Sequence, residues 1–324
     1  MKWRSLVTLS VTFAVLVAAS AASAGGDEFS FAVIAPSLRA NADDAALRLA
    51  ISETDDDSLA FVVVNGIKSA EESCNDSTYL DRKILFDGAK NGLIVSLAAA
   101  DWTGCRTSAG RSAALERLNR LRELFFADDF SFGSSKIPLA RQSNAPKYRS
   151  FAENARWEVG PVLFATMNLP ADNNHYLLAA GRNSEFEDRS VANHDWLQRL
   201  VMIATHRKMS ALVLFCDTDP LAPSASGIRR DGYSEVRNQL TELAARFAGR
   251  ILIVHDMRGS APGLARPGSP AEIVWHGNLG SLGVASGWVK LTVAPATPAL
   301  FSLSSTMESP SPSHTGNKKA AAIK

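Results

Sequence analysis

The sequence is short of most features that would announce a function. Its 34 basic and 33 acidic residues nearly cancel, and the basic ones are scattered. Nucleic acid and acidic membrane surfaces both need clustered positive charge, so neither is an expected partner. Beyond the N-terminus no stretch is apolar for long enough to span a bilayer. No Pro/Gly/Ser-rich linker interrupts the middle and no internal repeat is visible, which favours one large domain over two small ones. No Gly-rich nucleotide loop, Ser-centred nucleophile elbow or paired-Cys zinc spacing stands out, so the common motif-borne chemistries are not indicated.

Cysteine is scarce too. The chain has three, which in an exported protein suggests one disulfide and one leftover thiol. Export is the expectation from residues 1–24: Lys2 and Arg4 precede an apolar run from Leu6 to Ala19, and Ala22-Ser23-Ala24 supplies small residues for cleavage. A retained anchor is the alternative. With cleavage, the protein is expected to be secreted or periplasmic, with no membrane span left. Cys216 ends the apolar run Ala211–Phe215, where a buried thiol is unremarkable. Cys74 and Cys105 each sit in a polar loop just after an apolar run, which makes them the pair to expect.

What the chain does have is a series of short apolar runs, at Phe31–Ile34, Leu59–Val64, Leu93–Leu97, Val162–Met167, Ala211–Phe215, Ile251–Val254 and Trp288–Val293. Continuous hydrophobicity predicts strands covered on both faces. Helical patterns lie between them. Leu115, Leu118, Leu121, Leu124 and Phe125 form one stripe; Val236, Leu240, Leu243 and Phe247 form another, with Gly249 placed to end the helix. A third helix is predicted from Asn193 as N-cap through Trp196, Leu197, Leu200, Val201 and Ala204. Alternating strands and helices imply a layered α/β fold over 25–303, with ligands meeting the loops beyond the carboxyl ends of the strands. Residues 304–324, small and polar, read as a disordered tail.

Those loops carry a resemblance. Asn65-Gly-Ile-Lys-Ser-Ala70 followed by Cys74, and Leu97-Ala-Ala-Ala-Asp-Trp-Thr-Gly-Cys105, are similar to loops that read G-D-I-K-S-G and P-G-D-N-E-W-T-D-C in exported bacterial members of the calcineurin-like metallophosphoesterase superfamily. Leu115-Glu-Arg-Leu118, Arg122–Phe126, Glu153-Asn154 with Trp157, Asn173-Asn174, Trp196-Leu197, Asp219-Pro220 and Trp288-Val289 follow in family order along nearly the whole chain. The resemblance implies a two-sheet α/β/β/α sandwich, and it adds support to the Cys74–Cys105 pair. It also implies hydrolysis of phosphate esters by water activated at one or two metal ions.

The ligand positions argue against that chemistry. The aspartate expected to bridge the metals falls on Gly66, and the Asp-Asn pair falls on Ala99 and Ala100. Ile34-Ala-Pro-Ser37 has no carboxylate, and the stretch resembling H-G-D-[ST]-H reads His255-Asp-Met-Arg-Gly259, so its last histidine is Gly259. Alanine and glycine side chains offer no donor atom, and a metal site needs both ligand count and geometry. The leading expectation is therefore a pseudo-phosphoesterase: a binding or interaction protein for a small anionic ligand or a protein, with no cofactor. The alternative is an active phosphomonoester or phosphodiester hydrolase using Asp101, Asn173, Asp217 and His255 as substitute ligands for Mn, Fe or Zn. A third possibility is that the tail carries the role.

The remaining polar residues each admit two readings. Asp217 and Asp219 suit a relocated cation site with Asp101 or Asp256, or a turn in which Asp217 caps backbone amides. His255 suits a metal or phosphate, or an orientated structural role. Asn173, Asn174 and His175 either face a ligand or clamp a loop. Lys68 and Arg258 either form a metal-free anion pocket or point to solvent.

Overall fold

The computed structural model describes residues 27–35, 44–178, 183–223, 230–257, 271–285 and 287–305. Two mixed sheets pack against each other. The first contains β1 (Phe29–Ile34), β2 (Val62–Asn65), β3 (Leu93–Ser96), β11 (Trp288–Val293) and β12 (Phe301–Ser305), in the order β12-β11-β1-β2-β3. The second contains β4 (Ala140–Arg141), β5 (Ala155–Val159), β6 (Val162–Thr166), β7 (Ala211–Phe215), β8 (Arg250–Asp256), β9 (Ile273–His276) and β10 (Leu279–Val284), in the order β4-β5-β6-β7-β8-β10-β9. Pairing is parallel along β1-β2-β3 and β6-β7-β8-β10 and antiparallel at the outer strands.

Side-chain alternation explains why the central strands are apolar throughout. Phe31, Val33, Phe61 and Val63 from the first sheet meet Trp157, Phe164, Val213 and Phe215 from the second in the core between the sheets. Their neighbours Ala32, Ile34, Val62 and Val64 turn the other way, under α1 (Ala45–Asp55), α2 (Asp76–Asp87) and α3 (Ala114–Phe125). Leu163, Leu212, Leu214, Ile251 and Ile253 likewise turn away from the middle core, under α5 (Ser184–His206) and α6 (Ser234–Arg246). A strand with both faces covered has no position for a solvent-facing polar residue. Mixed α/β architecture with helices outside two sheets is the result, consistent with an α/β sandwich. No helix among the described residues is long and apolar enough to cross a membrane.

Three expectations need correction. The third helix begins at Ser184 rather than Asn193. Asn193 is buried within it, donating to Asn168 O at 2.9 Å and accepting from Asn154 Nδ2 at 3.0 Å, so a tertiary bond rather than a cap explains it. Leu115 is exposed in the first turn of α3, where Ala114 faces the core instead. The last strand reaches Ser305, two residues beyond the expected edge of the domain at 303, because β12 pairs with β11 along its whole length. Residues 306–324 and 1–24 lie outside the described residues.

Candidate functional site

The carboxyl ends of β2, β3, β6, β7 and β8 bring the sequence-predicted positions together. Gly66 follows β2 with φ +81°, a left-handed conformation in which a side chain is strained. Its N–H donates to Ser96 O at 2.6 Å, joining the ends of β2 and β3. Ala99, Ala100 and Asp101 form a single 3-10 turn after β3. Positions 66, 99 and 100 therefore sit at strand ends and contribute no side-chain donor.

Asp101 is completely buried. Its Oδ1 accepts the N–H groups of Ile67 and Lys68 at 2.7 and 3.0 Å, and its Oδ2 accepts that of Ala98 at 2.8 Å. Oδ1 thus ties the β2 loop to the β3 loop, and Oδ2 closes the turn of the β3 loop itself. The Tyr79 hydroxyl donates to Asp101 O at 2.8 Å, an anchor that the sequence reading missed because a tyrosine on a helix gives no sign of a distant carbonyl. The Cys74–Cys105 disulfide, with Cα atoms 5.7 Å apart, closes the same pair of loops. Cys216 is buried and free, and its thiol is pushed well above the ordinary range by burial, with the nearby Asp219 and Asp217 charges adding to the effect.

Lys68 does not face a pocket. Its Nζ donates to Ser69 O at 2.9 Å and Glu72 O at 3.0 Å, and the side chain is only 2% exposed. Carbonyls of its own loop need a donor there, which corrects the expected anion-binding role. Arg258 and Gly259 lie outside the described residues.

Asp217 joins the two sheets. Its Oδ2 accepts from Ala99 N, beyond β3, at 2.7 Å and from Ala171 N, beyond β6, at 2.8 Å. Burial pushes its pKa up to about 7; the two N–H groups oppose the shift, and the Asp256 and Asp101 charges reinforce it. The amide-capping reading fits this geometry. Ala171 opens the one-turn α4 (Ala171–Asn174), in which Asp172, Asn173 and Asn174 all have φ of 57–58°, followed by His175 at 52°. Consecutive left-handed L-residues are costly and persist only where surroundings over-determine them.

Here they do. Asn173 donates to Arg230 O at 3.0 Å and accepts from Gly232 N at 2.8 Å, and Asn174 donates to Gly232 O at 2.9 Å. Arg189, fully buried, donates to Asn174 Oδ1 and to Asn174 O. Of the two readings, the clamp is what these amides form. Arg189 lies outside the helix predicted from Asn193, and in the structure it also pairs with Glu185 one turn earlier. His175 packs edge-on against Trp102, ring centroids 4.8 Å apart, and burial lowers its pKa.

His255 Nδ1 lies 2.9 Å from Asp256 O and its Nε2 lies 2.9 Å from Ser281 Oγ on β10. Asp219 Oδ2 accepts from the same hydroxyl at 3.0 Å. Among the described residues no group of three or more His, Cys, Asp or Glu side chains is arranged to hold a metal ion. Asn65 Oδ1 and Ser96 Oγ, buried at the ends of β2 and β3, have no hydrogen-bond partner among the described residues. Both are neutral oxygens.

The sequence matches no protein-family model, and no curated protein matches it.

Proposed function

We propose that the protein is an exported, metallophosphoesterase-like scaffold that binds a small anionic ligand or a protein and does not carry out metal-dependent hydrolysis of phosphate esters. The observation that carries this reading is the condition of the strand-end residues. Side chains at positions 66, 99 and 100 have no donor atoms, and both oxygens of Asp101 and one oxygen of Asp217 accept backbone N–H groups. Dimetal phosphoesterase chemistry needs several anionic and imidazole ligands converging on the ions to polarise the phosphoryl group and acidify the attacking water. Two neutral orphan oxygens, from Asn65 and Ser96, do not supply that charge. Among the described residues the donor set does not fit a metal pair.

The calcineurin-like assignment rests on the motif order along the chain. Two mixed sheets with helices outside, and the motif loops gathered at the strand ends, are in keeping with it. The test is hydrolysis of chromogenic phosphomonoesters and diesters by the mature protein supplied with Mn, Fe or Zn, run beside a binding screen with sugar acids, phosphate and sulfate. Saturable binding without turnover is expected. Turnover abolished by Asp217→Ala would overturn the reading in favour of an active enzyme with substitute ligands.

A further inference from the structure

The hydrogen-bond array of His255, Ser281 and Asp219 lies on the helix-facing side of the second sheet, away from the core between the sheets. His255 follows Ile251 and Ile253 along β8, and Ser281 follows Leu279 along β10; all three apolar residues belong to the core under α5 and α6. No role in the scaffold reading above uses this array, and the inference does not depend on that reading.

The contacts fix the proton positions. Asp256 O is a carbonyl and can only accept, so His255 Nδ1 carries hydrogen and donates to it. In the neutral imidazole, Nε2 is then a bare acceptor, 2.9 Å from Ser281 Oγ. The single hydroxyl proton thus has two acceptors, His255 Nε2 and Asp219 Oδ2. Asp219 is held in place by Leu221 N, which donates to its Oδ1 at 2.8 Å. If the proton moves to Nε2, the resulting imidazolium lies 3.7 Å from Asp219 Oδ2, close enough for the carboxylate to stabilise the new charge.

The backbone is shaped for this arrangement. A Cβ at Gly283 would lie 2.3 Å from Met257 Cγ and 3.3 Å from His255 Cε1, so glycine leaves room for Met257 and lets the imidazole pass close over β10. His255 is 4% exposed while Ser281 is only partly covered. The base is enclosed and orientated, and Ser281 as a residue keeps partial exposure.

We propose that Ser281 is a nucleophile activated by His255, acting on small carboxylic esters. Ser281 Oγ bonds to the ester carbonyl carbon as its proton passes to His255 Nε2. The carbon–oxygen bond to the alcohol then breaks, and the alcohol leaves with that proton. Water, deprotonated by His255 Nε2, attacks the acyl-serine; the acid is released and the proton returns to Ser281. Nε2 is the general base and the Asp256 carbonyl orients the ring. Asp219 differs from the usual third member in approaching from the serine side.

The test is labelling of the full chain with a fluorophosphonate probe, with the site read by peptide mass spectrometry, alongside hydrolysis of p-nitrophenyl acetate. A single adduct on Ser281 is expected, absent in Ser281→Ala and slowed roughly 10²-fold in His255→Gln, the scale of a lost general base. Thermal unfolding of each variant checks that it is folded. A folded wild-type chain with no adduct on Ser281 would overturn the proposal. So would equal labelling rates in wild type and a folded His255→Gln, because a merely structural histidine does not change the reactivity of a hydroxyl.

Discussion

Asp101 and Asp217 are both buried carboxylates in strand-end loops, one on each sheet, yet their surroundings differ in kind. Asp101 has both oxygens engaged by three N–H groups from two loops of its own sheet. Asp217 has a single oxygen engaged by two N–H groups, one from each sheet. The first is a complete anchor within one layer. The second is a clasp between layers, and it is held less completely, so that burial raises its pKa to about 7. Two buried aspartates can thus serve backbone N–H groups in different ways, one closing loops of a single layer and the other joining two layers.

The largest effect should come from Asp101→Ala. It leaves the N–H groups of Ile67, Lys68 and Ala98 buried without an acceptor, and each such group costs about 1–3 kcal/mol. A loss on the order of 3–5 kcal/mol is expected in denaturant unfolding. A loss below about 1 kcal/mol would mean that the loops do not depend on the anchor.

Replacing Cys74 and Cys105 by Ser tests whether the anchor needs the staple around it. The residues are 31 apart in sequence, and opening a loop of that length should lower stability by about 2–4 kcal/mol. The same measurement on the Asp101→Ala background should show non-additivity, since both tie the same loops.

Asp217→Asn sharpens the contrast through pH. A folded-state pKa of about 7 against an unfolded value of 3.8 means that the native state holds the proton more tightly. The group's contribution to stability is present below about pH 4 and is lost as pH rises to about 7. Asparagine can keep one accepting oxygen for Ala99 N and Ala171 N without a charge. The substituted protein should therefore lose this decline between about pH 4 and 7, and be more stable by about 1–3 kcal/mol at pH 8. Parallel stability profiles for both proteins would show that Asp217 does not titrate in this window.

Gly66→Ala should have the smallest effect. A Cβ at φ +81° costs about 1–2 kcal/mol, read as a shift in the unfolding midpoint.

Much of the scaffold is legible in the sequence where burial is two-sided. The run at 211–215 coincides with β7, which no polar residue interrupts, and the run at 288–293 coincides with β11 although Lys290 and Thr292 alternate with its buried residues. β5 and β10 escape the same reading. Arg156 and Glu158 alternate with buried or half-buried neighbours in β5, and Gly280, Ser281 and Gly283 give β10 the composition of a loop. Helix α2 is missed because polar residues outnumber the apolar ones that hold it.

At the site, the want of side-chain donors at positions 66, 99 and 100 is visible from residue types alone: a Gly or Ala side chain cannot ligate whatever the fold. The partners of the Asp101 and Asp217 carboxylates are not visible, because they are backbone N–H groups, which every sequence contains. Ser281 is invisible for a further reason. Its partners come from β8 and from the loop after β7, and nothing in its neighbours on the chain marks it.

Metal content of the purified protein decides whether Asp217 clasps two loops or ligates an ion. The protein is purified without chelator, challenged with excess Mn, Fe or Zn, and measured by mass spectrometry after removal of free ion. The account predicts no stoichiometric metal after any challenge. A stoichiometric ion that is lost in Asp217→Ala would contradict it, since Asp217 would then be ligating a metal rather than clasping two loops.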